Sequence, residues 1–81
     1  MVTKEDLGLW LLECLKANRG KATIVDVCKW LWENHHEDLV ASSDLFYTWQ
    51  YDVRWAATRL RQAGMIEAVE FSHKGVWELK A

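Results

Sequence analysis

Residues 48–64 read TWQYDVRWAATRLRQAG, and the stretch that follows, MIEAVEFSHKGVWELK, carries the chain to Lys80. In the first stretch Trp49, Val53, Ala56, Leu60 and Ala63 advance by 4, 3, 4 and 3 residues. That is the spacing of one apolar stripe on a helix, so a helix is expected over about 48–63, with Gly64 ending it. In the second stretch, residues 65–71 are β-branched and aromatic enough to form a strand, and Ser72, His73, Lys74 and Gly75 read as a turn. Residues 76–80 then alternate, with Trp77 and Leu79 on one face and Val76, Glu78 and Lys80 on the other. A terminal β-hairpin results, and since a lone hairpin is marginal in water it must lie against helices to bury Trp77 and Leu79.

Two helices are expected upstream. Thr3 and Asp6 form a capping-box-like start, after which Leu7, Trp10, Leu11, Cys14 and Leu15 recur at helical spacing. Leu9 and Leu12 widen that arc and suggest a helix covered on more than one side, stopped by Asn18, Arg19 and Gly20. Lys21, Ala22 and Thr23 are too few for an independent strand and read as an extended link. Thr23 and Asp26 repeat the cap signal before Ile24, Val27, Cys28 and Leu31. This second helix is expected to end near His35, with residues 33–38 as its solvated end. Residues 37–46 lack a clear period, although Leu39, Val40, Leu45 and Phe46 imply an apolar turn.

The composition agrees with this picture. At 81 residues, with 51% hydrophobic and 27% charged side chains, the chain has the make-up of one small folded domain over 1–81 and not of a disordered segment. Proline is absent and glycines number four, which favours helix over turn-rich β structure. Six tryptophans supply a dense core without disulfide staples. Cys14 and Cys28 fall among apolar helical residues, as reduced thiols of a cytoplasmic protein do. The charged start of the chain has no signal-peptide character, and no run is long enough to span a bilayer. The net charge of −2 excludes binding to nucleic acid by bulk positive charge. Residues 1–45 carry five basic and eight acidic side chains, whereas residues 46–81 carry five basic and four acidic, so any polyanion surface must be local and C-terminal.

The order helix, extended link, helix, helix, strand, turn, strand is that of a winged helix-turn-helix: a mainly helical α+β fold of three helices followed by a C-terminal β-hairpin wing. Such a fold can set its third helix in the major groove of DNA with the wing beside it. On the side of that helix opposite the stripe, at about 100° per residue, lie Tyr47, Gln50, Tyr51, Arg54, Thr58 and Arg61. None of these is acidic, and all can donate hydrogen bonds to phosphate oxygens or base edges. Asp52 and Arg59 fall toward the buried flank, where they could pair across the helix or with the wing. His73 and Lys74 in the turn make a short basic wing tip, with Gly75 supplying positive φ, and Lys21 is a weaker backbone contact. An ordinary solvated helix face and an ordinary turn account for the same residues without any ligand.

Other chemistries are weaker. Cys14, Cys28, His35 and His36 are zinc-ligand types at no familiar ligand spacing, and neither thiol has a cationic neighbour in sequence to activate it. Glu78-Leu79-Lys80 spells the E-x-K of a nuclease site, but alternation on an edge strand gives the same spelling, and no further sheet is expected to supply the other ligand. No enzyme activity, metal or cofactor is expected. Trp30, Trp32 and Trp55 exceed what the stripes accommodate. With Phe46 and Tyr47 they could join a homodimer or partner-protein contact.

Trp55-Ala56-Ala57-Thr58-Arg59-Leu60-Arg61-Gln62-Ala63-Gly64-Met65-Ile66-Glu67, followed by Lys74-Gly75-Val76-Trp77-Glu78-Leu79, resembles the winged-helix domain at the N-terminus of Mrr-type restriction endonucleases. That pattern is W-A-x-x-x-L-x-x-A-G-L-[LI]-x, a short turn, then [RK]-G-x-W. The resemblance covers about the last 30 residues, and the upstream helices only in order and length. It implies structural roles for Trp55, Leu60, Ala63, Gly64 and Trp77, and a DNA face containing Arg54, Thr58 and Arg61. It also implies a module that presents double-stranded DNA to a nuclease domain or anchors a larger enzyme on it; a link to restriction or to transcription regulation is the expected setting. Nothing in the 81 residues corresponds to the nuclease domain. The competing expectation is a winged helix that holds a protein partner through exposed tryptophans and the acidic end of the second helix.

Overall fold

The computed structural model describes residues 2–42, 44–68 and 74–80. The chain is a mainly helical α+β protein whose described residues form three helices and a two-stranded antiparallel sheet. Helix α1 (Lys4–Ala17) starts at the expected cap: the Asp6 amide donates to Thr3 Oγ1 and the Thr3 amide donates to Asp6 Oδ2. It ends where Arg19 and Gly20 both take left-handed φ values of 63° and 95°, and the Gly20 amide donates to the Leu15 carbonyl at 2.7 Å.

That reversal delivers Lys21–Thr23, which is a true strand, β1, and not merely a link. It pairs antiparallel with β2 (Val76–Glu78), setting Lys21 opposite Glu78, Ala22 opposite Trp77 and Thr23 opposite Val76. Three residues cannot hold an extended conformation alone, but here the partner strand supplies the hydrogen bonds. On the other side of the chain at β2, Ile66 makes an isolated antiparallel bridge with Leu79: Glu67 donates to the Glu78 carbonyl at 2.8 Å, and Lys80 donates to the Met65 carbonyl at 3.1 Å. Residues 78–80 therefore have backbone partners on both sides among the described residues. Of the strand expected over residues 65–71, the described residues 65–68 form only an isolated bridge at Ile66, and residues 69–71, like the turn residues Ser72 and His73, lie outside the described residues.

Helix α2 (Ile24–Val40) begins at the Thr23 cap and runs beyond His35, its expected end. His35 leaves helical geometry (φ −134°, ψ 16°), and the helix resumes so that Leu39 is completely buried. Helix α3 (Asp44–Gln62) likewise starts earlier than residue 48, because Leu45 reaches the core. Of the expected α3 stripe, Trp49, Val53 and Ala56 are buried and Leu60 is half-buried, whereas Ala63 is past the helix and exposed.

Helix α1 packs along α3, where Gly8 faces Ala56. Leu7, Leu11 and Leu15 of α1, Val27, Leu31 and Leu39 of α2, and Ile66 and Trp77 from the sheet region complete one core. Leu9 is 65% exposed, so α1 is covered less fully than its wide apolar arc suggests. Both cysteines are free thiols, Cys14 buried and Cys28 half-buried. Among the described residues no helix is long and apolar enough to cross a membrane.

Candidate nucleic-acid interface

Packing of Trp49, Val53, Ala56 and Ala57 against the core turns the opposite side of α3 to solvent. Tyr47, Gln50, Tyr51 and Arg54 are all exposed there, Tyr47 at 84%. They form two rows at four-residue spacing, Tyr47–Tyr51 and Gln50–Arg54, each step rising about 6 Å along the axis. Trp55 continues the first row. It is half exposed and meets Tyr51 edge to face at 6.3 Å.

Thr58 and Arg61 are less free. Both are half-buried: Thr58 Oγ1 donates back to the Arg54 carbonyl at 3.2 Å, and Arg61 Nε donates to the Glu67 carbonyl at 3.0 Å. One of the five guanidinium donors of Arg61 thus ties the end of α3 to the segment that pairs with β2.

The acid on α3 is turned away from this face. Asp52 is buried at 6% exposure, accepts from Thr48 Oγ1 at 2.7 Å and meets Lys4 Nζ at 3.8 Å. The expected pairing of Asp52 with Arg59 does not occur, because Arg59 points to solvent and α1 brings Lys4 to the carboxylate instead. The outward face of α3 after its first turn therefore presents arginines with no carboxylate among them.

Lys74 is exposed in the turn before β2, and Gly75 has the expected positive φ of 78°. His73 lies outside the described residues. Lys21 is exposed on β1.

The histidines expected at a solvated helix end divide. His36 is exposed, with Nδ1 3.0 Å from the Trp32 carbonyl oxygen. His35 is instead enclosed by Trp10 and Trp30, with Nε2 3.1 Å from Glu13 Oε1. Among the described residues no three His, Cys, Asp or Glu side chains converge as a metal site.

A groove of about 650 Å3 lies between the first half of α2 and α3, with Cys28, Trp32 and Trp49 among its apolar walls and Lys29, Gln50 and Arg54 as its polar lining. Burial pushes the Cys28 thiol up from its ordinary value, with the Arg54 charge acting against that shift. The sequence reading missed this groove, although Ile24, Val25, Cys28 and Trp32 already make α2 too apolar for a single stripe. No protein-family model, curated protein or solved structure matches the chain.

Proposed function

We propose that this chain is a winged-helix DNA-binding module that lays α3 in the major groove of double-stranded DNA with the turn at Lys74 and Gly75 beside it. The observation that carries this proposal is the sorting of α3: Tyr47, Gln50, Tyr51 and Arg54 share one open face while Asp52 is buried on the other. A helix of about 28 Å fits the major groove, where arginine and glutamine can fork onto purine edges and tyrosine can reach phosphates. The strand between α1 and α2, paired with the terminal strand, is compatible with a winged helix.

The resemblance to Mrr-type N-terminal domains adds a role in a restriction system, as a module that presents DNA to a nuclease or anchors a larger enzyme on it, with transcription regulation as the other setting. On this reading the chain binds DNA without a catalytic step of its own, and the free thiols suit a cytoplasmic setting. The test is titration of a labelled duplex at two ionic strengths. Binding that weakens steeply with salt supports the proposal, and its absence at low salt rejects it.

A second reading, a winged helix that binds a protein or a second copy of itself, is favoured by the exposed rings of Tyr47, Tyr51 and Trp55. Amide-shift mapping with a random duplex separates the two. Shifts clustered over residues 50–61 and 72–75 favour DNA, and silence there favours a protein partner.

A further inference from the structure

The groove between α2 and α3 combines features that a plain solvated surface does not need. Its volume of about 650 Å3 lies in the range of small-molecule sites. Trp32 lines it and stays 41% exposed although its ring runs nearly parallel to Trp49, centroids 6.4 Å apart and planes 12° from parallel. Val25, on the same wall, is 62% exposed.

The charged side chains lining the groove are Lys29 and Arg54, and none of its lining residues is acidic. Neither cation has an ion pair among the described residues. Asp26 and Glu33, the acids nearest Lys29 along α2, do not line the groove. In a chain of net charge −2, this is a local reversal of sign around an aromatic wall.

We propose that the groove binds a small planar aromatic carboxylate, its ring against Trp32 and Val25 and its carboxylate between Lys29 and Arg54. The ring gains apolar burial and an aromatic neighbour. The carboxylate gains a guanidinium, whose planar fork matches its two oxygens, and a second cation. Gln50 and Arg54 also belong to the outward face of α3, so a groove ligand and a nucleic acid on that face would draw on the same two side chains.

The test uses 2-naphthoate titrated into the isotope-labelled protein, followed at the indole N–H signals of Trp32 and Trp49. Saturable shifts are expected, with a dissociation constant on the order of 1 mM or tighter for a ligand of this size. Naphthalene-2-methanol, the neutral analogue, should bind about tenfold more weakly, and Arg54→Gln should weaken naphthoate by a similar factor. Val25→Asp, at an exposed position on the groove wall, should do the same by placing a carboxylate there. Absence of saturable shifts at both indoles, equal affinity for the neutral alcohol, or an unchanged dissociation constant in both variants overturns the proposal. No nucleic acid enters this experiment, so its failure and failure of the DNA-binding reading are separate results.

Discussion

The imidazole of His35 lies face to face on the indole of Trp10, with ring centroids 3.9 Å apart and planes 6° from parallel. Trp30 closes a second side at 5.9 Å, and Glu13 meets Nε2 at 3.1 Å. The ring that joins α1 to α2 thus sits at the residue where α2 departs from helical geometry. Replacing it removes a stacked pair and leaves a gap between two indoles, so His35→Ala should lower stability by about 1–3 kcal/mol. Glu13→Gln should cost less than about 1 kcal/mol, since that carboxylate is largely exposed and screened. Urea midpoints of both variants and wild type check the ranking, and a His35→Ala midpoint equal to that of wild type would mean that the stack contributes nothing.

What the sequence made legible is what neighbouring residues decide among themselves. The Thr3–Asp6 and Thr23–Asp26 caps each involve contacts three residues apart, and they occur where the spacing placed them. The buried face of α3 follows from its own period. What escaped depends on distant partners. Lys21–Thr23 is a strand because Val76–Glu78 pairs with it, and α2 continues past His35 because Trp10, more than twenty residues earlier, receives the imidazole. Asp52 is buried because α1 brings Lys4 to it. The candidate site was legible to the same degree: the exposure of Tyr47 and Arg54 follows from periodicity, whereas the tether from Arg61 to Glu67 depends on how the chain turns after Gly64.

Gly8 occupies the interior of α1 without needing a glycine. Its φ is not positive, and a Cβ there would meet the Ala56 methyl at 3.9 Å, an ordinary contact. Gly8→Ala should therefore stabilise the fold by about 0.5–1 kcal/mol through reduced backbone entropy in the unfolded chain. In a domain of this size that gain raises the melting temperature by roughly 2–8 °C. Thermal unfolding followed by circular dichroism reads it directly, and a fall in melting temperature would show that α1 and α3 are already in closest contact.

Cys14 is fully buried, and burial pushes its thiol up to about 11, partly opposed by the Asn18 side chain, which donates to Sγ. The fold therefore holds this proton more tightly than the unfolded chain does. The resulting stabilisation is complete below the ordinary thiol value of 9.0 and is lost as pH rises from there toward about 11. Cys14→Ala removes this dependence. The stability difference between wild type and variant should narrow between about pH 9 and pH 11, measured by urea unfolding. A constant difference across that window would mean that the thiol titrates alike in both states.

Arg54 and Arg61 stand on the same helix and should behave differently. Arg54 is exposed and has no ion pair among the described residues, whereas Arg61 ties the end of α3 to Glu67, whose own amide donates to the Glu78 carbonyl of β2. Arg54→Ala should leave the unfolding midpoint within about 0.5 kcal/mol of wild type. If Arg54 meets a phosphate, the salt slope of duplex binding should fall by about one. If it forks onto a base, affinity should drop by about 1–3 kcal/mol with relaxed sequence preference. Arg61→Ala should instead cost about 1–2 kcal/mol of stability, by removing a charged donor from a part-buried carbonyl that links α3 to the sheet. Paired anisotropy and urea titrations on both variants test this division. An Arg61→Ala protein with full stability and lost affinity would move the DNA contact to the end of α3, beyond the exposed Tyr47–Arg54 face.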